Sequence, residues 1–160
     1  MMDYQIIFAV PDDELELRSI LIESDMDIAG DIEDHVVIKH GNEIVGGGML
    51  AQTDDDVYHL LVFAVRQTEH SRGIGSLLLN AMVMEPWRYC LNGPGFDDGS
   101  YTVTTVAKGE SARFYAKNGF VACAFSELAY PFDQQCDACP DLNECKPSAM
   151  KFMGCRINDE

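Results

Sequence analysis

The stretch that decides the fold is Val57–Met84, with the sequence VYHLLVFAVRQTEHSRGIGSLLLNAMVM. Its first nine residues, Val57–Val65, are largely apolar at both the odd-numbered and the even-numbered positions. This pattern is typical of a strand that is buried on both faces. Beyond Gly75, apolar residues recur at intervals of three and four until Pro86, which cannot continue a helix. The stretch therefore predicts a central strand followed by an amphipathic helix of about three turns.

The turn between this strand and this helix contains Ser71-Arg72-Gly73-Ile74-Gly75-Ser76. Its two glycines let a ligand approach the backbone closely, and the first N–H groups of the helix lack internal partners and attract phosphate. Arg66, His70 and Arg72 lie around the turn in an otherwise acidic protein, which favours an anion site. A turn whose glycines serve only packing is the alternative.

Two common phosphate motifs do not fit this turn. The P-loop requires a lysine that is absent here, and the dinucleotide fingerprint requires a third glycine at the position of Leu78. The turn therefore needs a different explanation from these two nucleotide-binding motifs.

Length and composition predict one globular domain over residues 1–160, because 47% of the residues are hydrophobic and 24% are charged. No run approaches the roughly 18 apolar residues of a membrane span. Residues 1–8 lack the basic region that begins a secretory signal. We expect a cytoplasmic protein with no membrane partner.

The formal net charge of -16 argues against a nucleic-acid partner, because no basic face is available to neutralise phosphates. A cationic substrate such as an amine would be attracted to an acidic protein. A role for the acidity in solubility alone is at least as good an interpretation.

Patterning and turn signals predict the remaining elements. Strands are expected at Tyr4–Val10, His35–Lys39, Glu43–Ala51, Tyr101–Ala107, Phe120–Leu128 and Ala149–Ile157. Helices are expected after Asp12-Asp13-Glu14, around Met26–Ile32 and at Glu110–Asn118. Gly119 is expected to be the left-handed C-cap of the last helix. The run Gly46-Gly47-Gly48 indicates a bulge or a closely approached backbone. This order is typical of an α/β (α+β) sandwich with a mixed sheet.

Two motifs carry a resemblance to a known family. His70-Ser71-Arg72-Gly73-Ile74-Gly75 resembles the pyrophosphate loop of the GNAT superfamily of N-acetyltransferases, with His70 in place of the usual Arg or Gln. Glu110–Phe120, ESARFYAKNGF, resembles the superfamily's helix that ends in aromatic-Tyr-x-Lys-x-Gly-Phe. The resemblance covers Tyr4–Ile157 and implies a mixed, mostly antiparallel central sheet of six to seven strands flanked by helices.

The resemblance implies an acyltransferase that moves an acetyl group from acetyl-CoA to a primary amine by direct attack in a ternary complex. A small-molecule amine is our first hypothesis for the acceptor. The alternatives are acetylation of a protein lysine or N-terminus, and a non-catalytic acyl-CoA or metal/thiol sensor. A second copy of the chain, in a homodimer, is a further candidate partner.

The resemblance also implies site residues. Backbone amides from Ser71 to Ser76 would hold the pyrophosphate, and Phe63, Ala64 and Val65 would pair with the pantetheine amides and stabilise the thioester oxyanion. Tyr115 occupies the place of the general acid that protonates the departing thiolate. Lys108 stands about where the family often has an Asn that contacts coenzyme A, and Lys108 could meet a phosphate instead.

The general base is a separate question, because an ammonium nucleophile must lose a proton before it attacks. His59 lies six residues before Val65, where several family members place a base, and imidazole suits neutral pH. The alternatives are a packed His59 bonded to a backbone group, deprotonation through water, and Glu69 as a weaker candidate.

Five of the six cysteines fall in the last forty residues, and three of them, Cys136-x2-Cys139-x5-Cys145, lie in a Cys-rich loop at about 133–147. A structural zinc is one interpretation, although the spacing is not that of paired Cys-x2-Cys knuckles. A disulfide is disfavoured in the cytoplasm. The third interpretation is free thiols, with Cys123 and Cys155 packed in strands as small hydrophobes.

Overall fold

The computed structural model describes residues 4–24, 26–54, 56–66, 73–90, 99–107, 111–129 and 147–156. Within these ranges the strands are β1 Tyr4–Phe8, β2 Val36–His40, β3 Glu43–Asp54, β4 Val57–Val65, β5 Gly99–Ala107, β6 Val121–Ala122 and β7 Ser148–Arg156. The α-helices are α1 Glu14–Glu23, α2 Ile74–Met84 and α3 Ser111–Lys117. No helix in these ranges is both long enough and apolar enough to cross a bilayer.

The seven strands form a sheet in the order β1-β2-β3-β4-β5-β7-β6. The β1/β2, β2/β3, β5/β7 and β6/β7 pairs run antiparallel. The predicted α/β fold with a mixed, mostly antiparallel sheet of six to seven strands flanked by helices is therefore confirmed.

The chain divides into two compact units. Unit 1 comprises Met1–Ala51 and Leu60–Gly93, and unit 2 comprises Gln52–His59 and Pro94–Glu160. Strand β4 contributes residues to both units. A single domain over residues 1–160 stays a prediction.

Helix α1 in unit 1 forms where the sequence predicts it. Its first turn carries Glu14 and Glu16, which interact favourably with the positive end of a helix dipole. Its apolar face is fully buried and packs into a cluster with residues of the sheet. The α1 members of this cluster are Leu17, Ile20 and Leu21. Burial of this face is the main stabilisation of the helix, because a ten-residue helix is marginal on its own.

The run of three glycines lies in the first half of β3, with a bulge directly before it and a closely approached backbone within it. The register with β2 shifts between Ile38 and Lys39, which marks a bulge. A Cβ on Gly47 would lie 2.6 Å from Leu17 Cδ1 and 2.8 Å from the Val36 carbonyl oxygen. Glycine is therefore required for α1 to pack this closely on the sheet.

The segment between α1 and β2 differs from the sequence prediction, since Met26–Ile32 is not an α-helix. It is irregular and ends in a single 3-10 turn at Ile32–Asp34. The fully buried His35 ring makes hydrogen bonds with two backbone groups of this segment. The Ala29 N–H donates to its Nε2 (3.1 Å), so Nδ1 carries the proton and donates to the Asp31 carbonyl (2.9 Å).

The predicted strand Phe120–Leu128 is also largely wrong. Only Val121–Ala122 pairs with β7, and a 3-10 turn follows at Phe125–Glu127. The Glu127 carboxylate accepts a hydrogen bond from the Ala124 N–H (2.9 Å) and one from Lys151 Nζ (2.8 Å). These two bonds stabilise the 3-10 turn, which follows the end of the pairing between β6 and β7.

The longest ladder whose register is described lies in unit 2, between β5 and β7. It runs from the pair Gly99/Arg156 to the pair Ala107/Ser148. Cys155 is exposed on β7, opposite Ser100, so the interpretation of Cys155 as a packed small hydrophobe is wrong.

Candidate functional site

The N-terminal end of α2, in unit 1, is formed by Gly73. This residue has φ 75° and ψ 11°, a left-handed conformation that glycine adopts without strain. The first internal bond of the helix runs from the Leu77 N–H to the Gly73 carbonyl (3.0 Å). The first turn carries no acidic residue, in a chain with 27 of them. These features fit a bound anion such as a pyrophosphate.

Arg66, which directly follows β4, does not serve that anion site. Its Nε donates to the Ile44 carbonyl (2.8 Å) and its Nη2 pairs with Glu16 Oε2 (3.0 Å). Its backbone N–H donates to the Val45 carbonyl (2.9 Å). The guanidinium therefore joins β3 and β4 to α1, contrary to its inclusion among the basic residues of the anion site.

The end of β4 carries Phe63, Ala64 and Val65, whose side chains are all buried. This part of the strand lies close to the glycine run of β3, since a Cβ on Gly46 would lie 2.9 Å from the Ala64 carbonyl oxygen. The hydrogen bond of Arg66 to Val45 shows that β3 occupies one edge of β4 here.

Tyr115 lies near the end of α3 in unit 2, and the helix cap fixes its backbone. The Tyr115 carbonyl accepts hydrogen bonds from the N–H groups of Asn118 (3.0 Å) and Phe120 (3.0 Å), while the Gly119 N–H donates to Ala116 (3.2 Å). Gly119 has φ 99°. This is a Schellman cap, and it confirms Gly119 as the predicted C-cap.

Contacts with neighbouring side chains also hold the Tyr115 side chain in place. Its ring makes edge contacts with Phe114 (centroids 5.4 Å apart) and Phe120 (5.2 Å), and Phe120 in turn packs on Phe152 (5.7 Å). Burial raises the pKa of Tyr115 well above its usual value, and a hydrogen bond with the Thr105 side chain opposes that rise. Tyr115 is therefore a neutral phenol with a fixed orientation at every physiological pH.

His59, on the part of β4 that belongs to unit 2, is only 2% exposed. Its Nδ1 lies 2.7 Å from Thr104 Oγ1, and this hydroxyl also donates to the Tyr58 carbonyl (3.3 Å). With the hydroxyl proton used in that bond, Nδ1 is the donor to Thr104. Burial lowers the pKa of His59 to about 4, so the ring is neutral at neutral pH.

The structure places the two predicted catalytic residues of unit 2 against neighbouring residues of β5. His59 is bonded to Thr104 and Tyr115 to Thr105. Because successive strand residues point to opposite faces, the two side chains reach β5 from opposite faces of the sheet. The alternating Thr and Val residues of β5 predict only a strand, so β-propensity does not identify these threonines as partners of the site. Adjacent polar residues in a buried strand were the missed signal.

A His59→Gln variant is expected to be less sensitive to acid. Between pH 6.5 and about 4, unfolded His59 binds a proton and folded His59 does not, so the free energy of unfolding falls as the pH drops through this window. At pH 5 this amounts to ~2 kcal/mol. In urea denaturation between pH 7 and pH 5, the free energy of unfolding of His59→Gln should fall by ~2 kcal/mol less than that of the wild type. Equal losses would contradict the buried neutral imidazole.

Several predicted site residues lie outside the described ranges. They are His70, Ser71, Arg72 and Lys108 of the cofactor site, the candidate base Glu69, and the cysteines Cys136, Cys139 and Cys145. The described part of the chain contains no group of His, Cys, Asp or Glu residues that could hold a metal. The structural zinc therefore stays a prediction.

The seven-stranded sheet, with α2 after β4 and a capped α3 after β5, defines a protein of the α/β class with a mixed central sheet. The family model of the acetyltransferase (GNAT) domain matches residues 31–122, more than half of the 160 residues. The chain belongs to the GNAT acetyltransferase family, so the resemblance is confirmed. A comparison with curated protein sequences gives no match.

Solved structures of low sequence identity share this fold. N-acetylglutamate synthase from Neisseria gonorrhoeae, complexed with coenzyme A and N-acetyl-glutamate, superposes with a TM-score of 0.73 at 14% identity, over 94% of this chain and 35% of that one. The chain thus spans about a third of that enzyme. Ard1 from Thermoplasma volcanium gives a TM-score of 0.64 at 17% identity, over 97% and 99% of the two chains. Rv2747 from Mycobacterium tuberculosis, in complex with CoA and NLQ, gives a TM-score of 0.65 at 15% identity, over 92% of this chain and 98% of that one.

Proposed function

We propose that this protein transfers the acetyl group of acetyl-CoA to a primary amine of a small molecule, by direct attack in a ternary complex. The observation that carries the proposal is Tyr115, a buried phenol with a fixed orientation, at the end of a capped helix in a GNAT acetyltransferase. Two of the similar structures contain coenzyme A, which supports acetyl-CoA as the donor. The net charge of -16 favours a cationic acceptor.

In the proposed complex, the backbone N–H groups at the start of α2 bind the pyrophosphate, together with Ser71 and Arg72. Phe63, Ala64 and Val65 offer backbone groups to the pantetheine, and one of their N–H groups donates to the thioester oxygen as negative charge develops there. Lys108 and His70 are placed near the phosphates in this proposal. These contacts bind and orient the donor before the amine attacks.

Substitution of Gly73 tests the phosphate site. A Cβ at Gly73 meets no atom within 4 Å, so a side chain fits sterically, and Asn and Asp tolerate the left-handed conformation similarly. Gly73→Asp adds a negative charge beside the proposed pyrophosphate, so we expect its Kd for coenzyme A to rise about tenfold above that of Gly73→Asn at low salt. Isothermal titration calorimetry measures both values.

Gly73→Asn is the matched control, because it carries the same shape without the charge. The difference between the two variants should shrink as salt is added, since screening weakens exposed charges. Equal affinities of the two variants at low salt would place the pyrophosphate elsewhere.

Tyr115 supplies the proton for the leaving group in this proposal. The amine nitrogen forms a bond to the acetyl carbon, the carbon–sulfur bond breaks, and the sulfur takes the proton of the Tyr115 hydroxyl. A thiol has a pKa of about 8.5, so the thiolate is already a reasonable leaving group and the help from Tyr115 is limited. A proton released from the acylated nitrogen restores Tyr115 through solvent.

Deprotonation of the amine is assigned to solvent in this proposal. The ammonium form of an amine has a pKa of about 10. The candidate base His59, with a pKa of about 4, is a poor acceptor for such a proton. His59→Gln also tests this assignment, because an unchanged pH dependence of kcat excludes His59 as the base.

The experiment that tests the function is an assay of coenzyme A release from acetyl-CoA with a panel of amines. The panel contains polyamines, amino acids, aminoglycosides and lysine peptides. We expect release with at least one small amine. Release with the peptides alone would indicate a protein acetyltransferase, and binding of acetyl-CoA without release for any amine would indicate a sensor.

A further inference from the structure

Arg66, the first residue after β4, bonds to β3 with both its backbone and its side chain. Its N–H donates to the Val45 carbonyl (2.9 Å) and its Nε donates to the Ile44 carbonyl (2.8 Å). Its Nη2 donates to Glu16 Oε2 of α1 (3.0 Å), and the same oxygen accepts a hydrogen bond from the Ile44 N–H (3.1 Å). Arg66, Glu16 and Ile44 therefore form a closed ring of hydrogen bonds that joins the end of β4 to β3 and α1.

The bulge of β3 lies at this ring. Ile38 of β2 pairs with Gly46, and Lys39 pairs with Ile44. Val45, between the two paired residues, is therefore the extra residue of β3. Its carbonyl is the one that accepts the first N–H after β4. The ring thus bonds the backbone of β3 at the irregular point of that strand.

The ring is better placed to stabilise this region than an ordinary surface ion pair. The Arg66 side chain is 25% exposed and that of Glu16 is 37% exposed. Isolated exposed pairs contribute little, but hydrogen bonds to charged groups are stronger than those between neutral groups, and here each charged group is bonded at two points. The ring therefore limits the movement of the chain where it leaves β4.

The ring lies beside backbone that the proposed function assigns to the acyl donor. Phe63, Ala64 and Val65 directly precede Arg66, and these residues and the ring all belong to unit 1. Backbone groups cannot adjust to a ligand by side-chain rotation. The affinity of such a site therefore depends on how well the strand end is ordered before the ligand binds.

We propose that Glu16 and Arg66 are positioning residues for acetyl-CoA, because the ring that they form with Ile44 holds the end of β4 in the geometry in which its backbone groups bind the donor. This inference rests on the proposed function, in which Phe63–Val65 bind the pantetheine. Neither charged side chain contacts the donor. Without the ring, the strand end is ordered only on binding, and the cost of that ordering weakens the affinity.

The test is a double-mutant cycle of Arg66→Met and Glu16→Ala, with the Kd for coenzyme A measured by isothermal titration calorimetry. Each single substitution should raise the Kd about fivefold, the lower end of ordinary coupling between sites. The double variant should also show a rise of about fivefold, because either substitution alone opens the ring. With acetyl-CoA and the best amine of the panel, kcat should stay within about twofold of the wild-type value.

Glu16 separates a positioning role from simple electrostatics. Glu16→Ala removes a negative charge from the unit that holds the proposed pyrophosphate site, so electrostatics alone predicts tighter binding of coenzyme A, whereas the positioning role predicts weaker binding. Glu16→Gln keeps an oxygen acceptor and should restore most of the affinity. Glu14→Ala is the matched control, because Glu14 lies on the same helix and pairs with Arg18 (3.1 Å). Its Kd should not rise.

Arg66→Lys separates positioning from direct attraction of the phosphates. Lysine keeps the charge but lacks the planar fork that reaches both the Ile44 carbonyl and Glu16, so its Kd should rise as that of Arg66→Met does. Thermal melting shows which variants are folded at the temperature of the titration. Arg66→Lys replaces Arg66→Met in the cycle if the methionine variant is not folded.

Four results would overturn the inference. They are a wild-type Kd in a folded Glu16→Ala variant, a wild-type Kd in Arg66→Lys, independent effects that multiply in the double variant, and an equal rise in Glu14→Ala. If the wild-type protein binds coenzyme A and the variants bind it equally well, the inference alone fails. If the wild-type protein does not bind coenzyme A, the proposed function fails and the inference fails with it.

Discussion

Tyr115→Phe is expected to lower kcat about 100-fold and to leave the KM for acetyl-CoA within about twofold. The substitution removes only the hydroxyl, while the phenyl ring keeps its edge contacts with Phe114 and Phe120. The loss is at the lower end of general acid catalysis because a thiolate is a tolerable leaving group. Steady-state kinetics of coenzyme A release measure it.

Tyr101→Phe is the matched control for this variant. Tyr101 is also a buried tyrosine of unit 2, only 5% exposed, and it has no role in the proposed chemistry. Its variant should keep wild-type kcat. The assignment of Tyr115 is wrong if its variant turns over at the wild-type rate, or if both tyrosine variants lose activity to the same extent.

Gly154→Ala is expected to reduce the free energy of unfolding by ~3 kcal/mol, which corresponds to a fall in Tm of about 6–12 °C for a chain of this size. Gly154 lies on β7 opposite Tyr101 of β5. A Cβ at Gly154 would lie 2.3 Å from Tyr101 Cζ and 2.4 Å from its hydroxyl oxygen, so the buried ring must move. Chemical denaturation and thermal melting measure the loss.

The clash at Gly154 involves a side chain rather than backbone, so a second substitution can relieve it. In a Tyr101→Leu background, Gly154→Ala should cost at least 1 kcal/mol less than it does alone, by the order of magnitude usual for residues in contact. Met153→Ala, at the exposed neighbouring position, should change stability by less than about 0.5 kcal/mol. If Gly154→Ala costs the same in both backgrounds, the contact with Tyr101 is not its cause.

Elements whose stabilisation is local could be predicted from the sequence. The bounds of β4 at Val57–Val65 agree with the prediction, because a run that is apolar on both faces has few other stable arrangements in water. Gly119 was identified as a cap because a positive φ at the end of a helix favours glycine. The motif on the same helix predicts Tyr115 as the candidate general acid.

Elements that depend on distant partners could not be predicted in this way. Met26–Ile32 has a helical pattern, yet its backbone is bonded by His35, whose buried position depends on the sheet. Arg66 is basic and near the phosphate turn, yet it is neutralised by Glu16, fifty residues earlier in the chain.

The sequence by itself determined the family, the central strand and helix of Val57–Met84, and Tyr115 as the candidate acid, since each of these depends on short-range periodicity or on a local motif. Only the tertiary structure decided which polar groups those side chains meet. It placed His59 at a buried position beside Thr104, where burial lowers the pKa of His59, and it placed Tyr115 beside Thr105. The physical reason is that burial and hydrogen-bond partners arise from residues far apart in sequence, such as 59 and 104, which no local pattern connects.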